Sequence, residues 1–321
     1  MTRYLTQRLI AFIPTLIGIS ILVFAAIRLI PGDQITAQLG TEAGMLSTEQ
    51  RAALEAYYGL DQPPIQQYFV WLGDALQGNF GFSIRHGSAV LPLIMKHFPI
   101  TLELAFMAIV IALSIGIPIG ILSAIRHNSL IDLFGRMFSM LGLAVPNFLL
   151  GTLIIYVLSV YFGILPNSGN YTSFTEDPWL NIQQLIFPAI TMGFSFSASV
   201  MRMTRSAMLE VMNEDYVRTA RSKGLRERVV IRRHALRNAL IPVVTLIGVE
   251  FGYLLGGAFI TEQIFSLPGI GRLAVNAITQ REYALVQGVT LFIAINFVIV
   301  NLAVDLIYAA IDPRISYASH E

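Results

Sequence analysis

The sequence predicts an all-α polytopic membrane protein with six transmembrane helices. Hydrophobic residues make up 55% of the chain and charged residues only 13%, about half the charged fraction that is usual in soluble domains. Six apolar stretches have roughly the length that a membrane-spanning helix needs, although the fourth is shorter and more polar than the others. They are Leu9–Ile30, Leu102–Ile125, Met137–Phe162, Leu185–Val200, Leu240–Ile260 and Leu285–Ala310.

The placement of Lys and Arg predicts the orientation. Ten of the twenty-one basic residues lie between Arg202 and Arg237, in the one long polar segment between apolar stretches. Because cytoplasmic loops are enriched in Lys and Arg, we expect this segment, residues 201–239, and both termini to be cytoplasmic. The first apolar stretch is longer than the apolar core of a signal peptide and ends at Arg28 without a small-residue cleavage site. We therefore expect an uncleaved anchor helix.

The predicted organisation has two parts. Residues 1-100 form the anchor helix and an extracytoplasmic lobe between membrane helices 1 and 2, and residues 101-321 form a five-helix core. In the lobe, Ser47-Thr-Glu-Gln50 matches a capping box and predicts a helix that ends near Gly59. A second short helix is expected to begin near Pro64. The aromatic residues of the lobe indicate either contact with the membrane interface or a small aromatic core.

Motifs for catalysis are absent from the sequence. Neither of the two lysines, Lys96 and Lys223, stands in the Gly-Lys-Ser/Thr context of a Walker A loop. The chain has no His-Glu-x-x-His, no Gly-x-Ser-x-Gly and no cysteine. The segment 269–274, GIGRLA, matches the dinucleotide fingerprint in letters, but that motif binds a cofactor only at a strand-to-helix turn. We expect a turn that leads into a short helix there, and no catalytic residue, metal or cofactor on this chain.

The fifth apolar stretch contains an acidic residue, Glu250. Glycines at 248, 252 and 256 predict a smooth helix face that permits close packing, and the opposite face could line a translocation pathway with Glu250, Tyr253 and Phe251. A hydrogen bond between helices is the alternative role for Glu250, and the more favoured one for Glu103 and Asp305, which lie nearer the ends of their stretches. Charged groups within the membrane are costly, so each is a functional hypothesis.

The polar segment divides at Gly224. Residues Glu210–Lys223 have helical spacing, with Glu214 placed four residues before Arg218 as in a helical ion pair. The second run, Glu227–Asn238, is rich in arginine and leads back to the membrane. A basic loop that contacts only anionic lipid is the alternative, and it is stronger for the second run. We expect the first run to dock on a partner protein through Glu214, Tyr216, Arg218, Thr219, Ala220, Lys223 and Gly224.

A motif within this segment resembles that of a known family. Arg218-Thr-Ala-Arg-Ser-Lys-Gly224 resembles the EAA loop (Glu-Ala-Ala, three residues, Gly) of the membrane subunits of ABC importers. Ala220 and Gly224 match the motif. Arg218 stands in the place of its glutamate, and Thr219 in the place of its first alanine.

The remaining signatures resemble the first permease subunit of dipeptide/oligopeptide importers. The leucine-proline that closes the EAA motif reads Leu236-Arg237 here and proline follows at Pro242, a form (RHALRNALIP) that is typical of this subgroup. Four further stretches resemble its signatures: Leu76-Gln-Gly-Asn-Phe-Gly-Phe-Ser83, Thr101-Leu-Glu-Leu-Ala105, Pro268-Gly-Ile-Gly-Arg-Leu273 and Asp312-Pro-Arg314.

The resemblance implies an ABC type I importer-like permease fold. It implies the pore subunit of an ATP-driven importer for di- or oligopeptides, in the plasma (inner) membrane of a bacterium or archaeon. The implied partners are a second homologous permease subunit, two ABC ATPase subunits that use ATP and Mg, and an extracytoplasmic solute-binding protein, with no nucleic acid. Nickel, glutathione or oligosaccharide remain possible substrates. The alternative from another class is an ion-gradient-driven secondary transporter that uses Glu250 as its carrier.

Overall fold

The computed structural model describes residues 2–29, 35–36, 40–57, 59–166 and 171–311. Helices dominate this part of the chain, joined by short turns and one small β-hairpin. In chain order the helices are α1 (Thr2–Arg28), α2 (Thr48–Tyr57), α3 (Pro64–Leu76), α4 (Val90–Ile125), α5 (Leu130–Ala144), α6 (Asn147–Phe162), α7 (Pro178–Met212), α8 (Asp215–Ser222), α9 (Glu227–Ala239), α10 (Ile241–Gly257), α11 (Phe259–Ile264), α12 (Ile270–Thr279) and α13 (Tyr283–Ile311). The hairpin pairs β1 (Phe82–Ser83) with β2 (Ser88–Ala89), an element that the all-α prediction did not include.

Six membrane spans follow from these helices. By length and apolar composition α1, α4, α7 and α13 can each cross a membrane alone. Two bent pairs, α5 with α6 and α9 with α10, have the required length and composition when each pair is taken together. Counting each pair as one span gives the six that the sequence predicts.

The third predicted span, Met137–Phe162, is not one continuous helix. The chain bends by 97° between α5 and α6, with Val145 (ψ 117°) and Pro146 (ψ 138°) both in extended conformation. The proline ring disfavours helical geometry in the residue before it. The predicted span Met137–Phe162 is therefore two helices joined at a sharp bend.

Two other spans are longer than their apolar cores. Helix α4 begins at Val90, not at Leu102, so the predicted boundary at residue 100 lies inside one helix. Helix α7 continues from Pro178 to Met212 around the predicted span Leu185–Val200. Its N-terminus is capped by Asp177, whose carboxylate accepts from the N–H groups of Trp179 and Leu180 at 3.0 Å each.

The lobe after α1 has the two predicted helices. The capping box of α2 is confirmed, since Ser47 Oγ accepts from the N–H of Gln50 at 3.1 Å and Gln50 Oε1 accepts from the N–H of Ser47 at 2.9 Å. Helix α3 begins at Pro64. It packs on the end of α1, where Tyr68 lies edge-on to Phe24 with ring centroids 5.3 Å apart.

Helix α10 packs on α13 through its glycine face. A Cβ atom added at Gly248 would lie 2.2 Å from Val304, and one at Gly252 would lie 2.7 Å from the ring of Phe297. The predicted close-packing face is therefore confirmed, and the helix it contacts is α13. On another side, Val243 of α10 packs with Ala112 of α4 and with Phe196 and Val200 of α7.

Candidate coupling and translocation sites

The predicted docking helix Glu210–Lys223 is two helices. Helix α7 ends at Met212, and α8 begins at Asp215. Between them the Asn213 side chain donates to the carbonyl of Leu209 at 3.0 Å, and Glu214 is extended, with ψ 148°. Short polar side chains compete in this way with helical hydrogen bonds, which explains the break.

The predicted ion pair from Glu214 to Arg218 is accordingly absent from the described contacts. Arg218 instead pairs with Asp215, with Arg218 Nη2 3.1 Å from Asp215 Oδ1, and it donates to the carbonyl of Asn213 at 3.2 Å. Both partners are strongly exposed, so the pair contributes little stability.

Helix α8 turns one face inward and the other outward. Val217 and Ala220 are buried and pack against Val230 of α9. Of the seven predicted docking residues, Ala220 therefore faces inward. The other six predicted docking residues are exposed, namely Glu214, Tyr216, Arg218, Thr219, Lys223 and Gly224.

Side-chain bonds hold α8 and α9 together across the turn at Gly224. Arg221 makes two bonds to the Glu227 carboxylate, at 2.8 and 3.2 Å, which raises the pKa of the Arg221 guanidinium above its usual value. At the other end of α8, Asn238 Nδ2 donates to Tyr216 Oη at 2.7 Å. Gly224 has a φ of 75°, a conformation that favours glycine. The two helices thus form one hairpin, which we name the α8–α9 hairpin.

The α8–α9 hairpin is continuous with the membrane core at both ends. Two residues separate α8 from α7, and α9 meets α10 at a bend of 44°. Helix α9 packs through Ala235 and Ala239 against Ala124 of α4 and Met208 of α7. The α8–α9 hairpin is therefore joined to α4 and α7 by packed side chains as well as by the chain itself.

The three predicted pathway residues do not share one side of α10. Glu250 and Tyr253 are three residues apart and are neighbours on the helix surface, whereas Phe251 points roughly 160° away from Tyr253 at about 100° per residue. Glu250 is half-buried, and among the described residues it has no hydrogen bond or ion pair. Tyr253 is exposed and contacts Phe297 edge-on, with ring centroids 6.3 Å apart.

The sequence analysis did not identify a buried carboxylate of α11, Glu262. Its side chain has no exposed surface. It accepts from Thr101 Oγ1 at 2.6 Å and from the N–H of Arg272 at 2.8 Å, and Thr101 Oγ1 accepts from the N–H of Ile270 at 2.9 Å. Glu262 and Thr101 thus cap the N-terminus of α12.

This cap accounts for two of the signature stretches. Thr101 belongs to one and the turn 268–273 to the other, and the predicted turn into a short helix at residues 269–274 is confirmed as the start of α12. Each stretch is visible in the sequence, but nothing local indicates that they meet. The fourth signature, Asp312-Pro-Arg314, lies outside the described residues, as does the side chain of Asp305.

Two further polar clusters join distant segments near the same end. The Glu103 carboxylate accepts from Tyr171 Oη and from Asn181 Nδ2, each at 2.7 Å, which is the structural role that the sequence favours. Burial, and then the adjacent carboxylate, raise the pKa of the Tyr171 hydroxyl above its usual range. In the second cluster, Ser83 of the hairpin donates to the buried Glu282.

The fold is that of an ABC transporter permease. Chains in two inward-facing crystal forms of the MetNI methionine ABC transporter match it with TM-scores of 0.51 and 0.53, over 68% of this chain and 96% of theirs. Their sequences are 18% identical to this one, so the likeness is one of fold.

The chain belongs to the family of binding-protein-dependent transport system inner membrane components. Residues 116–317 match that family, and residues 1–105 match its N-terminal component. The chain is 42% identical to the oligopeptide transport system permease protein AppB of Bacillus subtilis, covering 99% of this chain and 100% of the relative. It is 40% identical to the dipeptide transport system permease protein DppB of Escherichia coli K12, covering 99% of each. It is 39% identical to the glutathione transport system permease protein GsiC of the same strain, covering 99% of this chain and all of the relative.

Family membership decides between the two classes that the sequence left open. The chain is a multi-pass membrane permease subunit of an ABC importer and is not itself an enzyme. An ion-gradient-driven secondary transporter is the poorer description.

Proposed function

We propose that this chain is one half of the pore through which an ATP-driven importer of di- or oligopeptides moves its substrate. The similarity to AppB and DppB over the whole chain supports peptides as the substrate class. The importer would lie in the plasma (inner) membrane, with both termini of this chain cytoplasmic. Its other parts are a second homologous permease, two ATPase subunits that use ATP and Mg, and an extracytoplasmic binding protein.

The observation that carries this proposal is the α8–α9 hairpin. Its outer face presents the six exposed docking residues, while Ala220 faces inward and places the helix. Helix α8 docks in a groove of an ATPase subunit, a helix-in-groove contact. ATP binding draws the ATPase subunits together, and the hairpin moves with them. ATP drives the cycle because it binds the two conformations of the complex with different affinity.

The two lysines of the chain provide a matched test of docking. Lys223→Glu reverses a charge at the end of α8, and Lys96→Glu reverses one near the start of α4, where the side chain is also exposed. We expect co-purification of the ATPase subunits to fall for Lys223→Glu and to stay unchanged for Lys96→Glu. Equal co-purification in both variants would contradict docking through α8.

Uptake in proteoliposomes tests the transport activity itself. The complete complex should accumulate a labelled dipeptide only with ATP and the binding protein. The chain alone should not accumulate it under a proton or sodium gradient. Gradient-driven uptake by the single chain would contradict this proposal and support an ion-gradient-driven secondary transporter.

We further propose that Glu250 and Tyr253 line the peptide pathway, with Phe251 in a packing role. A half-buried carboxyl group without a protein partner is costly in a membrane unless it faces water or a ligand. Glu250→Gln should lower dipeptide uptake without changing the amount of assembled complex, whereas Thr245→Ala, at an exposed polar position of the same helix, should leave uptake unchanged. Normal uptake by Glu250→Gln would remove Glu250 from the pathway.

A further inference from the structure

The cytoplasmic end of α5 contains a fully buried carboxylate, Asp132. Its oxygens accept from groups on three segments of the chain. Ser123 Oγ at the end of α4 donates at 2.5 Å, the N–H of Asn128 in the turn donates at 3.0 Å, and Arg205 of α7 donates from Nε at 2.6 Å and from Nη2 at 2.9 Å. Arg136, which is exposed, lies farther away, with Nε 3.9 Å from Asp132 Oδ2. Every lone pair that the buried group presents to the protein interior thus has a donor.

This arrangement permits only one relative position of the two helices. Asp132 has no exposed surface and Arg205 little, so separating them would leave a charge in a poorly hydrated site, which is strongly unfavourable. The guanidinium and the carboxylate meet in the two-bond geometry that fixes orientation as well as distance.

The contact between α5 and α7 continues from this pair into the membrane. Ser139 Oγ donates to the carbonyl of Ala198 at 3.2 Å, and a Cβ atom added at Gly135 would lie 2.7 Å from Met201 Cε. Helix α4 approaches α7 as closely, because a Cβ atom at Gly120 would lie 2.8 Å from the carbonyl oxygen of Met201. The Asp132–Arg205 pair therefore lies at one end of a close contact that α7 makes with α4 and α5.

The pair also lies close to the proposed docking helix. Arg205 is seven residues before Met212, the last residue of α7, and α8 begins three residues after that. A force applied at α8 passes the two-residue break after Met212 and then reaches Arg205 along less than two turns of α7. At Arg205 it is passed to Asp132, and through it to both α5 and the end of α4.

We infer that the Asp132–Arg205 pair is the joint through which a displacement of α8 moves α5, and that both residues are positioning residues for transport. This rests on the proposed docking of α8 on an ATPase subunit. Without the joint, α8 still follows the ATPase subunits and α4 still packs on α7, but α5 no longer follows α7. ATP is then hydrolysed without productive movement of the pore.

The test uses the whole complex in proteoliposomes and measures dipeptide taken up per ATP hydrolysed. Asp132→Asn keeps the shape and one acceptor oxygen but removes the charge that pairs with Arg205. We expect ATPase activity to persist and uptake per ATP to fall about tenfold, within the range by which a coupling element changes coupling. In Arg205→Lys, which keeps the charge, uptake per ATP should fall less than in Asp132→Asn.

Ser139→Ala is the matched control, because it removes a hydrogen bond between the same two helices and leaves the ion pair intact. Its uptake per ATP should equal that of the wild type. If Asp132→Asn does not assemble, Arg205→Lys undergoes the same measurements.

A second measurement separates positioning from stability. The chain has no cysteine, so spin labels at the exposed positions Met140→Cys on α5 and Glu210→Cys on α7 report one distance. That distance should be the same with and without ATP in the otherwise wild-type complex and should change with ATP in Asp132→Asn. An unchanged ratio of uptake to ATP, or an unchanged distance, in an assembled variant would overturn the inference. Loss of ATP-driven uptake in the wild-type complex would instead overturn the proposed function.

Discussion

Replacing Gly269 by alanine tests the buried cap of α12. Gly269 is the N-cap residue of α12, and its φ of −89° is open to any residue, so the effect of a side chain here is one of space alone. An added Cβ atom would lie 2.2 Å from both Cδ and Oε1 of Glu262. The obstacle is a carboxylate held by hydrogen bonds and not the free end of a flexible side chain.

The expected magnitude follows from the bonds that must break. A shift of about 1 Å takes the carboxylate out of reach of its donors, Thr101 Oγ1 and the N–H of Arg272. Hydrogen bonds to charged groups contribute about 1.5–3 kcal/mol each. Because the site relaxes in part, we expect a loss of about 3 kcal/mol in the local free energy of unfolding. That loss corresponds to a roughly 100-fold larger equilibrium constant for local opening at the start of α12.

Amide hydrogen exchange, measured by mass spectrometry on the peptide that covers residues 262–275, reads this change directly. Gly73→Ala is the control, because an added Cβ atom there meets no heavy atom within 4 Å. Alanine in a helix is about 0.5–1 kcal/mol more favourable than glycine. Exchange of the same peptide should therefore not accelerate in Gly73→Ala. Exchange in Gly269→Ala within about twofold of wild type, the size of an unfolded-state effect, would refute the role given to Glu262.

Three further substitutions test other contacts. Thr101→Val removes both the donor to Glu262 and the acceptor of the Ile270 N–H. It should accelerate exchange in the same peptide by an amount that corresponds to about 2 kcal/mol, whereas Thr101→Ser should exchange at the wild-type rate. Gly252→Leu places a side chain where Phe297 lies and should lower the thermal stability of the complex by about 1–3 kcal/mol, whereas Gly18→Leu, with no heavy atom within 4 Å of an added Cβ, should not. Tyr171→Phe removes a donor to Glu103 and should destabilise the 171–177 loop by about 1.5 kcal/mol, measured by limited proteolysis; unchanged cleavage would mean that Asn181 alone satisfies Glu103.

Local patterns in the sequence predicted the elements well. Apolar length predicted six spans, the Ser47–Gln50 pattern predicted a capping box with both of its bonds, and glycines spaced by four predicted the packing face of α10. Each of these depends on residues within one or two helical turns of each other. The family resemblance, carried by short motifs, was likewise confirmed by matches over the whole chain.

Predictions failed where short-range preferences compete. Hydropathy does not reveal that α5 ends before Val145–Pro146, because an apolar stretch is equally apolar whether it is straight or bent. Helical spacing continued through Asn213 and Glu214, although asparagine favours a cap over a helix interior. The sequence also did not predict that α9 covers Val217 and Ala220, because periodicity alone does not reveal which neighbour a helix packs against.

The sequence by itself determined the number of spans, the membrane class, the break at Gly224 and the family of this chain, because these depend on composition and on neighbouring residues. Only the tertiary structure paired Glu262 with Thr101, 161 positions away, and Asp132 with Arg205, 73 positions away. A buried carboxylate must find donors wherever the fold places them. That requirement, and not any local pattern, connects α7, which leads into the α8–α9 hairpin, to α4 and α5.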